Sequence, residues 1–171
     1  MGLDMYAYAV KAELVGNEQV DVDVRGAALS PCGHTCYTDE AFDALSQSEK
    51  QAYWNQRDVA IEQAHEQGLL DTNFAYWRKF NNLHGWMERL YREKGGASAD
   101  FNCDTVRLEP EDLDRLERDA KAGDNLEPQA GFFFGSMEML TVEDQEEILE
   151  FVARARTAQA EGMAIFYSSW W

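Results

Sequence analysis

Positive charge is scarce in this sequence. Fifteen Lys and Arg stand against 32 Asp and Glu, a formal net charge of −17 over 171 residues. Direct nucleic-acid binding is therefore not expected, because neutralising a phosphate backbone requires clustered basic side chains. Cysteine is scarce too. Cys32, Cys36 and Cys103 make an odd number, which fits a reducing compartment better than a disulfide framework. No stretch approaches the ~18 apolar residues of a membrane span, so no membrane partner is expected. The apolar opening Met1–Val10 carries Asp4 and lacks both a basic leading region and a small-residue cleavage site. An acylation signal starting at Met1-Gly2 fails at Tyr6, where Ser or Thr is required. A cytoplasmic protein is the expectation. Internal repeats, low-complexity tracts and linkers are also lacking, so residues 1–171 read as a single domain.

What is present suffices for a core. Apolar residues make up 45% of the chain and aromatics 12%, a composition that excludes disorder for most of its length. Gly2–Val10 reads as a strand with apolar residues on both faces, hence a central one. After a turn at Gly16-Asn17, the alternation of Val20-Asp21-Val22-Asp23-Val24 predicts a second strand, and Gly26–Tyr37 a loop. Thr38 and the acids after it predict a helix N-terminus, with a break near Ser46–Ser48 and a resumed helix to about Gln67. Phe74, Trp77, Phe80, Leu83 and Met87 recur at three- and four-residue spacing, which predicts one helix from about Asp71 to Lys94. Phe101–Leu108 reads as a strand, and Pro110 opens a helix that ends before Gly123. Gln129–Met139 reads as another strand. A capping-box pattern at Thr141 and Asp144 opens a helix to about Ala160, and Met163–Trp171 forms the last strand. The expected class is α+β: one mixed sheet with strands at both ends of the chain, covered by about four helices.

Three places could carry chemistry. Cys32, His34 and Cys36 fall within five residues, and Cys103 could complete a Cys₃His zinc set; ordinary free thiols are the competing reading. Along the Phe74–Met87 stripe, Arg78, Asn81, Asn82 and His84 interrupt the apolar positions with donors and acceptors. That face can be plain core, a ligand-binding wall, or the seat of a general acid or base at His84. The block Gly131-Phe132-Phe133-Phe134-Gly135-Ser136 lacks both the lysine of a P-loop and the three-glycine dinucleotide pattern, so a buried strand is its simpler reading. Acids are concentrated: ten against four bases from Asp100 to Glu127, and six with no base from Glu138 to Glu150. Such runs are ordinarily solvated helix faces, but regularly spaced carboxylates can also imitate a phosphate backbone.

Several segments taken together resemble a known family. These are Gly2-Leu3-Asp4-Met5-Tyr6, Tyr76-Trp77-Arg78-Lys79 with Asn81 and His84-Gly85-Trp86, Gln129–Ser136, and the ending Phe166-Tyr167-Ser168-Ser169-Trp170. As a set they resemble a family of small proteins common in tailed-phage and prophage genomes. The resemblance implies a phage or prophage origin, action inside the bacterial cytoplasm, and no assigned catalytic residues. Some family members carry the label phosphoglycerate kinase. That activity requires two domains and a nucleotide cleft, which a 171-residue chain without a phosphate-binding loop does not supply.

Two functions follow as expectations. In one, Arg78, Asn81, His84, Trp86, Ser136, Tyr167 and Ser168 line an aromatic, polar pocket for a small ligand such as a nucleotide. In the other, the acidic helices hold a basic host protein, for example a DNA-binding or defence factor. An enzyme acting through His84 is the least supported, since no nucleophile with a placed base is visible.

Overall fold

A computed structural model describes residues 2–128 and 139–171. Four antiparallel strands form the sheet: β1 (Asp4–Lys11), β2 (Leu70–Arg78), β3 (Thr105–Leu108) and β4 (Met163–Trp170), in the order β2-β1-β4-β3. β1 is interior, as its two-sided apolarity predicts. Among the described residues there are four long helices, about the number the pattern predicts: α4 (Gln47–Glu66), α5 (Asn81–Glu93), α6 (Pro110–Ala122) and α7 (Val142–Ala160). Three short ones accompany them: α1 (Ala12–Val15), α2 (Val24–Leu29) and α3 (Asp39–Asp43). The helix starts read at Thr38 and Thr141 hold: Thr38 caps α3, and Thr141 and Asp144 form a capping box on α7. α4 instead starts inside the expected Ser46–Ser48 break, at Gln47, on a capping box of Ser46 and Glu49.

Both sheet faces are covered. On the first, Leu3, Met5, Ala7, Ala9, Val106, Leu108, Ile165 and Tyr167 pack with buried residues of α5, α6 and α7, such as Leu83, Leu116 and Phe151. On the second, Tyr8, Val10, Ala164 and Phe166 meet Val15 of α1, Val24 and Leu29 of α2, and Ala60 and Ala64 of α4. Each fully buried aliphatic or aromatic side chain contributes about 1.5–3 kcal/mol of transfer free energy, so these two clusters carry the fold.

Four sequence expectations are corrected. The Asp71–Lys94 stripe is not one helix, because its first part is β2 and only Asn81–Glu93 is helical. The helical spacing arises from an irregularity in β2. Ala7 pairs with Ala75 but Ala9 pairs with Asp71, so three residues of β2 stand opposite Tyr8 alone. This bulge turns Phe74 to the same face as Trp77, three residues on, and both bury against Phe151. The Val20–Val24 strand shrinks to a single bridge between Val20 and Val106, because Asp21 takes a left-handed conformation (φ 57°) and Val24 already begins α2. The Gly26–Tyr37 loop is helical for its first part, in α2 and a 3₁₀ turn at Ser30–Cys32. The Phe101–Leu108 strand contracts to β3, since Phe101 and Cys103 both have positive φ. The expected strand Gln129–Met139 lies almost wholly outside the described residues. Among the described residues, no helix is long and apolar enough to cross a membrane.

Candidate ligand cleft

Strand register decides what faces solvent where the cover of the second face ends. Tyr76, Tyr6, Ser168 and Thr105 form one row across the four strands, and Arg78, Asp4 and Trp170 form the next row outward. Tyr8 is buried with Val24 and Leu29 of α2, whereas Tyr6 is only partly buried against that cluster. Beside them lies a cleft of about 570 Å³, lined by Tyr6, Tyr8, Thr105 and Ser168–Trp170. Asp21–Arg25, Cys103 and Asp104 complete its lining.

The walls are fixed by specific bonds. Asp21 N donates to Thr105 O (3.0 Å) and Val22 N to Thr105 Oγ1 (2.8 Å), while Thr105 Oγ1 donates to Val22 O (3.1 Å). Asp21 tolerates its positive φ because a short polar side chain can, and its carboxylate accepts from Tyr91 Oη at 2.9 Å. Asp23 caps α2 by accepting from Gly26 N (2.8 Å). Cys103 (φ 67°) donates its N–H to Ser169 O at 2.8 Å. Positive φ at two non-glycine residues lining one cleft is the kind of cost that functional sites carry.

Aromatic and acidic groups dominate the lining. The Tyr6 and Tyr8 rings are parallel within 5°, centroids 6.3 Å apart, and Tyr6 also meets Tyr76 at 5.4 Å. Tyr76 Oη donates to Asp4 Oδ1 (2.6 Å), a bond that raises the phenol pKa. Burial raises the pKa of Tyr8 as well, against the opposing effect of Arg25. The Arg25 guanidinium lies 5.2 Å over the Tyr8 ring and donates to its hydroxyl at 3.4 Å. Asp104 Oδ2 is buried without a hydrogen-bond partner among the described residues. Ser168 is only 7% exposed, yet it lines the cleft.

The residues singled out from sequence are dispersed. Ser168 lies in this cleft. His84 and Tyr167 meet on the opposite sheet face, Nδ1 to Oη at 2.9 Å, both wholly buried. Burial lowers the His84 pKa to about 4 and holds that of Tyr167 well above 10. Trp86 Nε1 donates to Asp119 Oδ2 (3.0 Å) in the core. Arg78 and Asn81 line another cavity, of about 390 Å³, with Lys79, Asp144 and Glu147, and Arg78 Nε stands 3.7 Å from Asp4 Oδ1. Ser136 lies outside the described residues. Cys103 lines the main cleft, whereas Cys32 and His34 line a third cavity against α4. All three cysteines are free, and among the described residues no group of three or more His, Cys, Asp or Glu could hold a metal ion.

Sequence reasoning missed Tyr6, Tyr8, Asp21, Asp23, Arg25, Asp104 and Trp170. One signal was available: Tyr6 and Tyr8 share a strand face that is otherwise expected to be aliphatic. The cleft contains hydroxyls, a thiol and carboxylates, and among the described residues that line it there is no histidine. The arrangement is suited to holding a molecule. No family model, curated protein or solved structure matches this chain.

Proposed function

We propose that this protein works by binding, as an accessory protein of the phage or prophage type that its sequence resembles, and that the cleft over Tyr6, Tyr8 and Ser168 holds a small-molecule ligand. The observation that carries this reading is a cavity of about 570 Å³ lined by aromatic and polar side chains, within the usual range for small-molecule sites. The walls are pinned before any ligand arrives, which lowers the ordering cost of binding. The inward-facing histidine does not take part: His84 is 0% exposed and on the other side of the sheet.

Native mass spectrometry of freshly purified protein, followed by two-dimensional NMR with a panel of cationic, neutral and anionic metabolites, tests the reading. A retained or added compound is expected to shift Tyr6, Tyr8, Asp21–Arg25 and Ser168–Trp170, and Tyr6→Ala is expected to weaken it about tenfold or more. Saturable shifts confined to the Arg78–Asn81 cavity, or none with any compound, would overturn the proposal.

A further inference from the structure

We infer that the ligand of this cleft is a small organic cation, an ammonium or guanidinium on a flat or apolar body. The inference rests on the cleft reading above and assigns its chemical class. Three features point the same way. First, Tyr6, Tyr8 and Trp170 line the cleft, and aromatic faces attract cations through their quadrupole. Second, the chain's own Arg25 guanidinium lies 5.2 Å over Tyr8, so an aromatic ring of this lining already holds a cation of that class. Third, the walls carry Asp21, Asp23 and Asp104 against Arg25 alone, and Asp104 keeps a buried oxygen without a partner among the described residues.

A nucleotide fits these facts poorly. Its phosphates would meet three carboxylates in a chain of net charge −17, with one guanidinium to offset them. A cation instead finds an aromatic seat and an acceptor whose desolvation is already suffered by the fold. Arg25 then behaves as an internal stand-in that the ligand displaces or stacks beside.

The opposite signs expected of Arg25 and the aspartates make the test sharp. Phenethylammonium, its neutral analogue 2-phenylethanol, and AMP are titrated into the full chain, with Tyr and Trp resonances followed by NMR. Phenethylammonium is expected to shift Tyr6, Tyr8 and Trp170 saturably and to bind at least tenfold tighter than 2-phenylethanol. Asp104→Asn and Asp21→Asn are each expected to weaken it about tenfold, and Asn suits the positive φ of Asp21. Arg25→Ala is expected to tighten binding, because the ligand no longer competes with a like charge over Tyr8. Equal binding of the amine and the alcohol would overturn the cation assignment. So would AMP binding at these residues that Arg25→Ala abolishes, although the cleft would still stand as a ligand site. Failure of all three compounds to shift any cleft resonance would overturn the cleft reading itself. Circular dichroism of each variant separates lost binding from lost folding.

Discussion

His84 Nδ1 lies 2.9 Å from Tyr167 Oη, joining α5 to β4 beneath the first face of the sheet, with neither side chain exposed to water. Burial lowers the imidazole pKa from 6.5 to about 4, so the folded protein holds it neutral. The unfolded chain takes up the proton first as pH falls. Stability is therefore complete above pH 6.5 and is lost through the window from 6.5 down to about 4. Between pH 7.5 and 5.5 the loss from this group is about 1.4 kcal/mol, read by urea unfolding before most carboxylates titrate. His84→Gln is expected to flatten that slope. An unchanged slope in the variant would show that other groups set it; His34, whose pKa is also lowered by burial and then by Arg57, is the next to test.

Gly96→Ala should disturb the cleft from a distance. An added Cβ would lie 2.2 Å from the Tyr91 ring, which is fully buried and stacked on Phe101 at 4.5 Å. Tyr91 Oη in turn holds Asp21 in its left-handed conformation. Overpacking of this kind costs about 1–3 kcal/mol. The check is denaturant unfolding together with the amide shifts of Asp21 and Val22; a stable variant with unmoved shifts would show that the ring can yield.

These two cases show which parts of the fold were legible in the sequence. The interior position of β1, the capped starts of α3 and α7, and the strand character of β4 follow from local patterns, because alternation and capping act over a few residues. β2 was not legible. Its bulge gives Phe74 and Trp77 a three-residue spacing that periodicity assigns to a helix, and only pairing with β1 decides otherwise. Asp21 failed for the same kind of reason: Val20-Asp21-Val22 alternates like a strand, but Tyr91, 70 residues away, holds the turn. Of the cleft, only Ser168 and, as a candidate metal ligand, Cys103 were chosen in advance. The others are brought together by register across four strands, which no local window contains.

Lys94 ties together elements distant in sequence and should be costly to remove. Its ammonium donates to Gln19 Oε1 (2.9 Å), Arg107 O (2.7 Å) and the Asp112 carboxylate, and the Lys94 and Asp112 side chains are each 14% exposed. Asp112 also accepts from Glu109 N at the start of α6. Lys94→Met leaves that carboxylate without its cation, at an expected cost of about 3 kcal/mol. Adding Asp112→Asn keeps an acceptor for Glu109 N and removes the unpaired charge, so the double variant should recover part of the loss. A double variant as unstable as the sum of its parts would show that the pair does not act as a unit.

α4 is expected to be two helices in dynamic terms. Of its 20 residues only Ala60 and Ala64 are buried, both in the second half, on the sheet cover. Its first half packs instead on a local aromatic cluster: Tyr53 meets His34 at 4.8 Å and Phe42 at 5.2 Å, and Phe42 meets Trp54 at 5.4 Å. Tyr37, Trp54 and Val59 remain 47%, 45% and 54% exposed. A helix segment without core contacts opens far below the global free energy of unfolding. Amides of residues 51–58 should therefore exchange at least a hundredfold faster than those of β1, and Phe42→Ala should accelerate them further while leaving global stability within about 1 kcal/mol. Equal protection in the two halves at micromolar concentration, falling away on dilution, would mean that copies of the chain cover the aromatic cluster in one another. Equal protection at every dilution would show that the local cluster alone holds the first half as firmly as the sheet holds the second.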